Sequence, residues 1–421
     1  MDIILFFVGI FALLLKRRDW ALAIMAILAS TYLQLPLQPH FSIGRFPIEH
    51  NISDIGLLLY LFILIPALFH KKARYKGKIQ NVVTLFLIYL IVNGIWDMYT
   101  GTSFGDVIRY LKGWAYLSLI YIYQDFSPKE IVGSLRIVCV VTFWISLVMV
   151  ISRVLDINAM DYVLMAKGGR GYKPPSFSII CSLIYIINIF RVKPLVQFTY
   201  VIVILLPILL NVKMTYLLSV VLVVIVFFLI NDKFSMIKKI ALALMSVLIV
   251  VSFFTLSERF STRFYDLSSG LTSAAQGYVD DNFSYRLLHA AERFNYISKA
   301  PDTFLRGIGY VSEAHFNDTV FQLGVWNSSM KRVDQLNNSD IVWSNMFLRL
   351  GIIGIVLYLL VYIRLISAYM KCKTRFQHNA FLAAYLIISL LFTSLGNDLI
   401  GYSDFFIYPI LFLNNKLLFE D

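Results

Sequence analysis

The chain has 421 residues, of which 59% are hydrophobic and 15% charged, with a mean hydropathy of +0.74. A soluble domain is about 45–50% apolar and 25% charged, so this chain carries more apolar surface than a core can hide and reads as a polytopic membrane protein. Its net charge of +12 comes from Lys and Arg in short loops between apolar runs, as cytoplasmic loops require; with no basic face or recognition motif it argues against nucleic-acid binding.

A spanning helix needs about 20 apolar residues. Candidates lie at about 2–15, 20–36, 53–70, 80–97, 104–124, 131–151, 176–191, 195–211, 214–230, 239–256, 342–366, 379–396 and 404–418. The expected fold is therefore all-α, with about 12–14 spans. The first stretch lacks a basic leader and a small-residue cleavage site, so it reads as a retained span. Lys16 to Arg18, the Lys71 to Lys78 cluster, Arg191 and Lys193, Lys233 to Lys239, and Lys371 to Arg375 fall on one side if the spans alternate. That side is expected to be cytoplasmic and to hold the C-terminus.

The opposite side then holds Leu37–Ser53, Ser152–Pro175, the turn from Asn211 to Thr215, and a long segment from Ser257 to Asp340. The chain divides accordingly into 1–256, with ten spans, the large loop 257–340, and the C-terminal spans 341–421. The loop has aromatic and aliphatic residues throughout and is expected to pack. Within it Ser284–Lys299 reads as a helix with an apolar stripe of Phe283, Leu287, Ala291 and Phe294. Arg306-Gly307-Ile308-Gly309-Tyr310 reads as a tight turn. It is not a nucleotide loop, because the strand–turn–helix context is missing. Beyond it, Asn337 to Leu365 passes from polar to apolar, with Ser339 or Asp340 as N-cap and Asn345 and Arg349 interrupting the apolar run.

The three cysteines show no pairing or metal-ligand spacing, and no nucleophile triad, zinc motif or phosphate loop is present. His40, His50, His70 and His378 read as interfacial. Charges near a membrane face tend to be functional. On the outer side these are Arg109, Lys112, Arg170, Lys213, Arg286 and Arg293, and converged they would hold a di-anionic group such as a pyrophosphate. Arg109 and Lys112 can equally snorkel to the interface, and Arg293 with Lys299 can be a solvated helix face. Arg170 follows Gly168-Gly169, a permissive backbone. Asp340 is the best-placed general base, against a plain capping role, with His289 as the second candidate; Glu313 and His315 stand in a polar stretch nearby.

Four short motifs, by their order and spacing along the chain, resemble the O-antigen polymerase and ligase superfamily. They are Asp340-Ile341-Val342-Trp343-Ser344-Asn345 leading into Arg349-Leu350-Gly351-Ile352-Ile353-Gly354, Ser284-Tyr285-Arg286 followed by Gly307-Ile308-Gly309, Arg170-Gly171 before Pro174-Pro175, and the turn around Lys213 and Thr215. Ligases place His where this chain has Asp340, so the likeness favours polymerases. The resemblance implies a metal-independent, inverting glycosyltransferase without cofactor in a bacterial inner membrane, its large loop periplasmic. Its substrates would be undecaprenyl-pyrophosphate-linked glycans in contact with membrane lipids, and a chain-length regulator is a further expected partner. Arg170, Arg286 and Lys213 would stabilise the leaving pyrophosphate, and Asp340 would orient or deprotonate the acceptor hydroxyl. The alternatives are a ligase acting on lipid A-core and a transporter of lipid-linked oligosaccharide.

Overall fold

A computed structural model describes residues 2–30, 52–69, 77–154, 176–189, 193–210, 214–230, 235–237, 239–241, 244, 269–280, 282–313, 316, 320–327, 332–336, 342–374, 376–391 and 403–418. The N-terminal helices are α1 (Asp2–Leu14), α2 (Arg18–Ala29), α3 (Ile52–Phe69), α4 (Lys78–Tyr99), α5 (Phe104–Leu111) and α6 (Pro128–Val154). There follow α7 (Ser176–Asn188), α8 (Pro194–Leu210), α9 (Met214–Ile230), α10 (Asn282–Ile297) and α11 (Pro301–Arg306). Strands β1 (Val325–Asn327) and β2 (Arg332–Asp334) pair antiparallel, and α12 (Val342–Lys371), α13 (Gln377–Leu391), α14 (Ile407–Leu411) and α15 (Asn415–Leu418) complete the chain. The described residues are thus almost wholly helical, with one short ribbon among them, in the large loop, that the sequence pattern does not foretell.

Among the described residues three helices, Lys78–Tyr99, Pro128–Ile151 and Trp343–Lys371, are long and apolar enough to cross a membrane, and six shorter apolar helices accompany them. Their outward faces are greasy: Phe7, Phe11, Phe62, Ile88, Val92, Trp144, Phe198 and Ile363 are all exposed. Water would not tolerate such a girdle on this scale, whereas lipid tails would. The chain is a membrane protein.

Two expected spans are not single helices. The stretch 104–124 runs as α5 and then as a 3-10 segment, Lys112–Tyr121, although 3-10 runs beyond three or four residues are uncommon. The stretch 404–418 is a 3-10 turn, Ser403–Phe406, followed by the short α14 and α15. These interrupted pieces pack on each other in the middle of the bundle. Trp114 meets Tyr358 edge-on at 5.4 Å, and Tyr358 meets Phe406 at 6.1 Å. Irregular backbone survives in a membrane only where protein covers it, and Trp114, Leu117, Phe405 and Phe406 are buried.

A second, smaller core lies under the large loop. Ile297, Phe321 and Leu336 pack on Leu348 of α12, joined by Tyr296, Ile308, Phe316 and Phe347. Carboxylates tie this loop together by accepting backbone N–H groups. Glu313 takes those of Gln335 and, at 2.6 Å, Leu336. Glu292 takes that of Gln322 at 2.7 Å. Replacing Glu313 by alanine leaves two buried N–H groups unsatisfied, and the loop is expected to lose about 2–4 kcal/mol, read as faster limited proteolysis and a lower unfolding temperature.

Candidate functional site

The loop is seated where α12 breaks. Gly351 interrupts that helix with φ +59°, a conformation that L side chains avoid. A break inside a membrane-embedded helix frees carbonyls that must find donors. The Leu348 carbonyl accepts the Ile308 N–H at 2.7 Å, and the Leu350 carbonyl accepts the Tyr89 hydroxyl at 2.5 Å. A Cβ on Gly351 would meet Gly307 N and Leu305 O at 2.5 Å. The turn Gly307–Gly309 and the run Arg349-Leu350-Gly351 therefore touch backbone to backbone.

Asp97, near the end of α4, holds the other side of the turn. Its carboxylate accepts the Tyr310 N–H at 2.7 Å and pairs with Arg306 at 3.3 Å. Asn93, one turn earlier, donates to the Arg306 carbonyl at 3.3 Å. Tyr310 stacks on Tyr110 of α5 at 4.4 Å and donates its hydroxyl to the Leu90 carbonyl at 2.8 Å. Burial, reinforced by the neighbouring Tyr110, holds the Tyr310 phenol above its usual range, so it stays a neutral donor. Arg349 is buried close by. It donates to Asn345 Oδ1 at 2.8 Å and to the Val311 carbonyl at 2.7 Å, with its guanidinium 5.5 Å from the Tyr110 ring. Trp96 and Tyr99, exposed at the same end of α4, have the amphipathic character of a membrane-interface belt.

Sequence reasoning passed over Asp97, which looks like an ordinary acid at a helix end, although Asn93 and Asp97 stand four apart on one face, beside Gly94. It also misread the face of α10. The expected stripe of Phe283, Leu287, Ala291 and Phe294 leaves Ala291 and Phe294 exposed, while Ser284, His289, Arg293 and Ile297 are buried. Polar contacts explain the reversal. The Arg293 guanidinium lies 4.1 Å over the Phe321 ring, donates to the Gln335 carbonyl at 2.9 Å and pairs with Glu292 at 2.5 Å. Burial outweighs Glu292 and draws its pKa down to about 10. Arg293 is therefore built into the loop and is no solvated face. His289, four residues earlier, has Nδ1 2.8 Å from the Ser344 hydroxyl of α12.

Of the residues expected to grip pyrophosphate, Arg286 is half-buried on α10, one turn before His289. Arg109 is exposed in the last turn of α5, and Lys112 pairs with Asp54 at 2.6 Å. Asp340, Arg170 and Lys213 lie outside the described residues, as do Pro174, Pro175, His315, His40, His50 and His70. Because α10, α11 and α5 all pack at the end of α4 and α12 that carries Asp97 and Trp343, Arg109, Lys112, Arg286, His289 and Arg293 gather at one end of the bundle. His378 is buried at the opposite end, 3.2 Å from the Leu417 carbonyl.

His289 is 3% exposed. Burial first, and then the Arg293 charge, pushes its pKa down from 6.5 to about 3. A base that weak takes few protons near neutrality, so the imidazole is a neutral hydrogen-bonding group. The folded chain refuses a proton that the unfolded chain accepts below about pH 6.5. Stability is therefore complete above that value and is lost as the pH falls towards 3. Between about pH 7 and pH 5 the loss from this residue is about 2 kcal/mol. Thermal unfolding at the two values should show it, and His289→Gln should flatten the difference.

No protein-family model matches the chain, and no curated protein matches it significantly.

Proposed function

We propose that the chain is a membrane glycosyltransferase that polymerises undecaprenyl-pyrophosphate-linked repeat units into a surface polysaccharide such as O-antigen, on the periplasmic face of a bacterial inner membrane. One observation carries the reading. Two motifs some forty residues apart, Gly307-Ile308-Gly309 and Arg349-Leu350-Gly351, which carried the family likeness, dock on one another. They do so beneath a loop helix bearing Arg286. The expected arrangement of about thirteen spans, with the large loop outside and the C-terminus in the cytoplasm, belongs to the same proposal. It fits Arg17, Arg18, Lys78 and Lys371 standing at helix ends remote from Asp97.

In this mechanism a hydroxyl of one lipid-linked repeat attacks the anomeric carbon of the growing glycan, whose pyrophosphate leaves with the bonding pair. A single displacement inverts that carbon. Negative charge grows on the leaving group, so a cation fixed beside it stabilises the transition state more than the ground state. Arg286 fills that role, with Arg170 and Lys213 as further phosphate partners. Asp340 orients the acceptor hydroxyl and takes its proton. Arg109 remains available for phosphate, whereas Lys112 and Arg293 would first have to leave Asp54 and Glu292.

A transporter of lipid-linked glycan is the second reading, favoured by the two interrupted stretches that face each other, a device of transporters. These stretches bury uncharged Trp114, Leu117, Phe405 and Phe406, while the candidate phosphate-binding cations lie at one end, which favours the enzyme. A deletion strain separates the possibilities. Single capped repeats without long chains indicate the polymerase. Lipid-linked polymer with no capped forms indicates a ligase, and repeats trapped on the inner leaflet indicate a transporter.

A further inference from the structure

The contact between α10 and α12 holds a polar pair with one unused end. Ser344 is wholly buried, and its hydroxyl meets Nδ1 of His289 at 2.8 Å. The other ring nitrogen, Nε2, is also buried and has no hydrogen-bond partner among the described residues. A buried polar atom left unpaired is destabilising, because it has given up water for nothing. The charged groups around it are already engaged. On α10, Arg293 is tied to Glu292 and to the Gln335 carbonyl. From α12, Arg349 is held by Asn345 and the Val311 carbonyl, and from the loop Glu313 is held by two backbone N–H groups. The Tyr285 ring lies 5.7 Å from the imidazole and its hydroxyl donates to the Gly324 carbonyl at 3.2 Å. Arg286 stands one turn away on the same helix.

We infer that Nε2 of His289 is a hydrogen-bonding contact for a hydroxyl of the bound glycan, and that Ser344 is a positioning residue that fixes the ring for it. The inference rests on the glycan-transferring reading. A neutral imidazole offers a donor or an acceptor at Nε2, the opposite of the role Nδ1 plays towards the Ser344 hydroxyl, which can itself donate or accept. Sugar hydroxyls can answer either. A site that hydrogen-bonds a hydroxyl rejects an analogue lacking it, because the buried partner is then stranded, so this pair would contribute to the choice of repeat unit. Its state does not change with pH near neutrality, since it takes up a second proton only near pH 3.

The full-length protein in lipid nanodiscs provides the test, with lipid-linked repeat unit extracted from the deletion strain as probe. His289→Gln keeps an amide near the Nε2 position, and His289→Asn keeps one near Nδ1. The expected result is that His289→Asn weakens binding of the repeat unit about tenfold while His289→Gln stays within about threefold of the parent. Ser344→Ala should weaken it about threefold, with Ser344→Thr restoring it, and the parent's affinity should be flat from about pH 5 to pH 8. Equal binding by both His289 variants at lowered unfolding temperature overturns the inference and makes the pair a purely structural tie. Better binding by His289→Asn than by His289→Gln overturns it too. If the parent binds the repeat unit but never extends it, the polymerase reading fails while the variants still decide the inference. A parent that does not bind the repeat unit overturns both.

Discussion

Alanine at Gly309 is expected to unseat the large loop from the membrane bundle. Gly309 has φ +82°, and a Cβ there would fall on the Asp97 carboxylate. Asp97 would have to turn away, losing the Tyr310 N–H and the Arg306 guanidinium. A buried carboxylate stripped of its partners costs about 3–5 kcal/mol, beyond the 1–2 kcal/mol of the left-handed backbone itself. Gly277 provides the control. It has the same φ of +82° and nothing within 4 Å of its would-be Cβ. Gly277→Ala should thus cost only the backbone strain. A drop in unfolding temperature several times larger for Gly309→Ala than for Gly277→Ala, with the loop opened to protease, is the predicted outcome. Equal drops would mean that the Asp97 clasp holds nothing.

The second large effect is on chemistry. Arg286→Ala and Asp340→Asn should each abolish polymer in cells while protein level stays at that of the parent. The positive charge at residue 286 matters in the transition state, when the pyrophosphate takes up charge, and removing one such group commonly lowers the rate by about 10²–10³. Asp340→Asn keeps shape and hydrogen-bonding reach but cannot accept a proton. If Asp340 were only a helix cap, asparagine would serve as well, since the two rank together at that position, and polymer would persist. Arg293→Ala should behave differently. It opens a hole over Phe321 and frees the Gln335 carbonyl, so its loss of polymer should track a loss of protein.

Hydropathy made most of the helices legible, because lipid-facing helices must be apolar along their length. The boundaries of α3, α8 and α9 fall within a residue or so of the apolar runs at 53–70, 195–211 and 214–230. The turn at Gly307–Gly309 was legible too, since two glycines so close ask for positive φ, and both have it. What periodicity could not convey was which apolar runs are broken. Lys112–Tyr121 has the composition of a helix, and its packing against α3, α4, Ser403–Phe406 and the short helix Ile407–Leu411 relieves the backbone of lipid. The break at Gly351 was equally silent, because Gly-x-x-Gly inside an apolar run is common in membrane helices. The buried face of α10 was hidden for another reason. A stripe rule counts apolar residues, and here the face that goes inside is Ser284, His289 and Arg293, the last two held by partners 55 and 42 residues away. Asp97 escaped for the same cause, as its partners follow more than 200 residues later.

The most direct measurement of the central claim is extension of a purified lipid-linked repeat unit by the purified chain in lipid, resolved by glycan length. The account predicts a ladder of products rising by one repeat, made without any lipid A-core acceptor and absent with Arg286→Ala and Asp340→Asn. No ladder from the parent chain, or a full ladder from both variants, would contradict it.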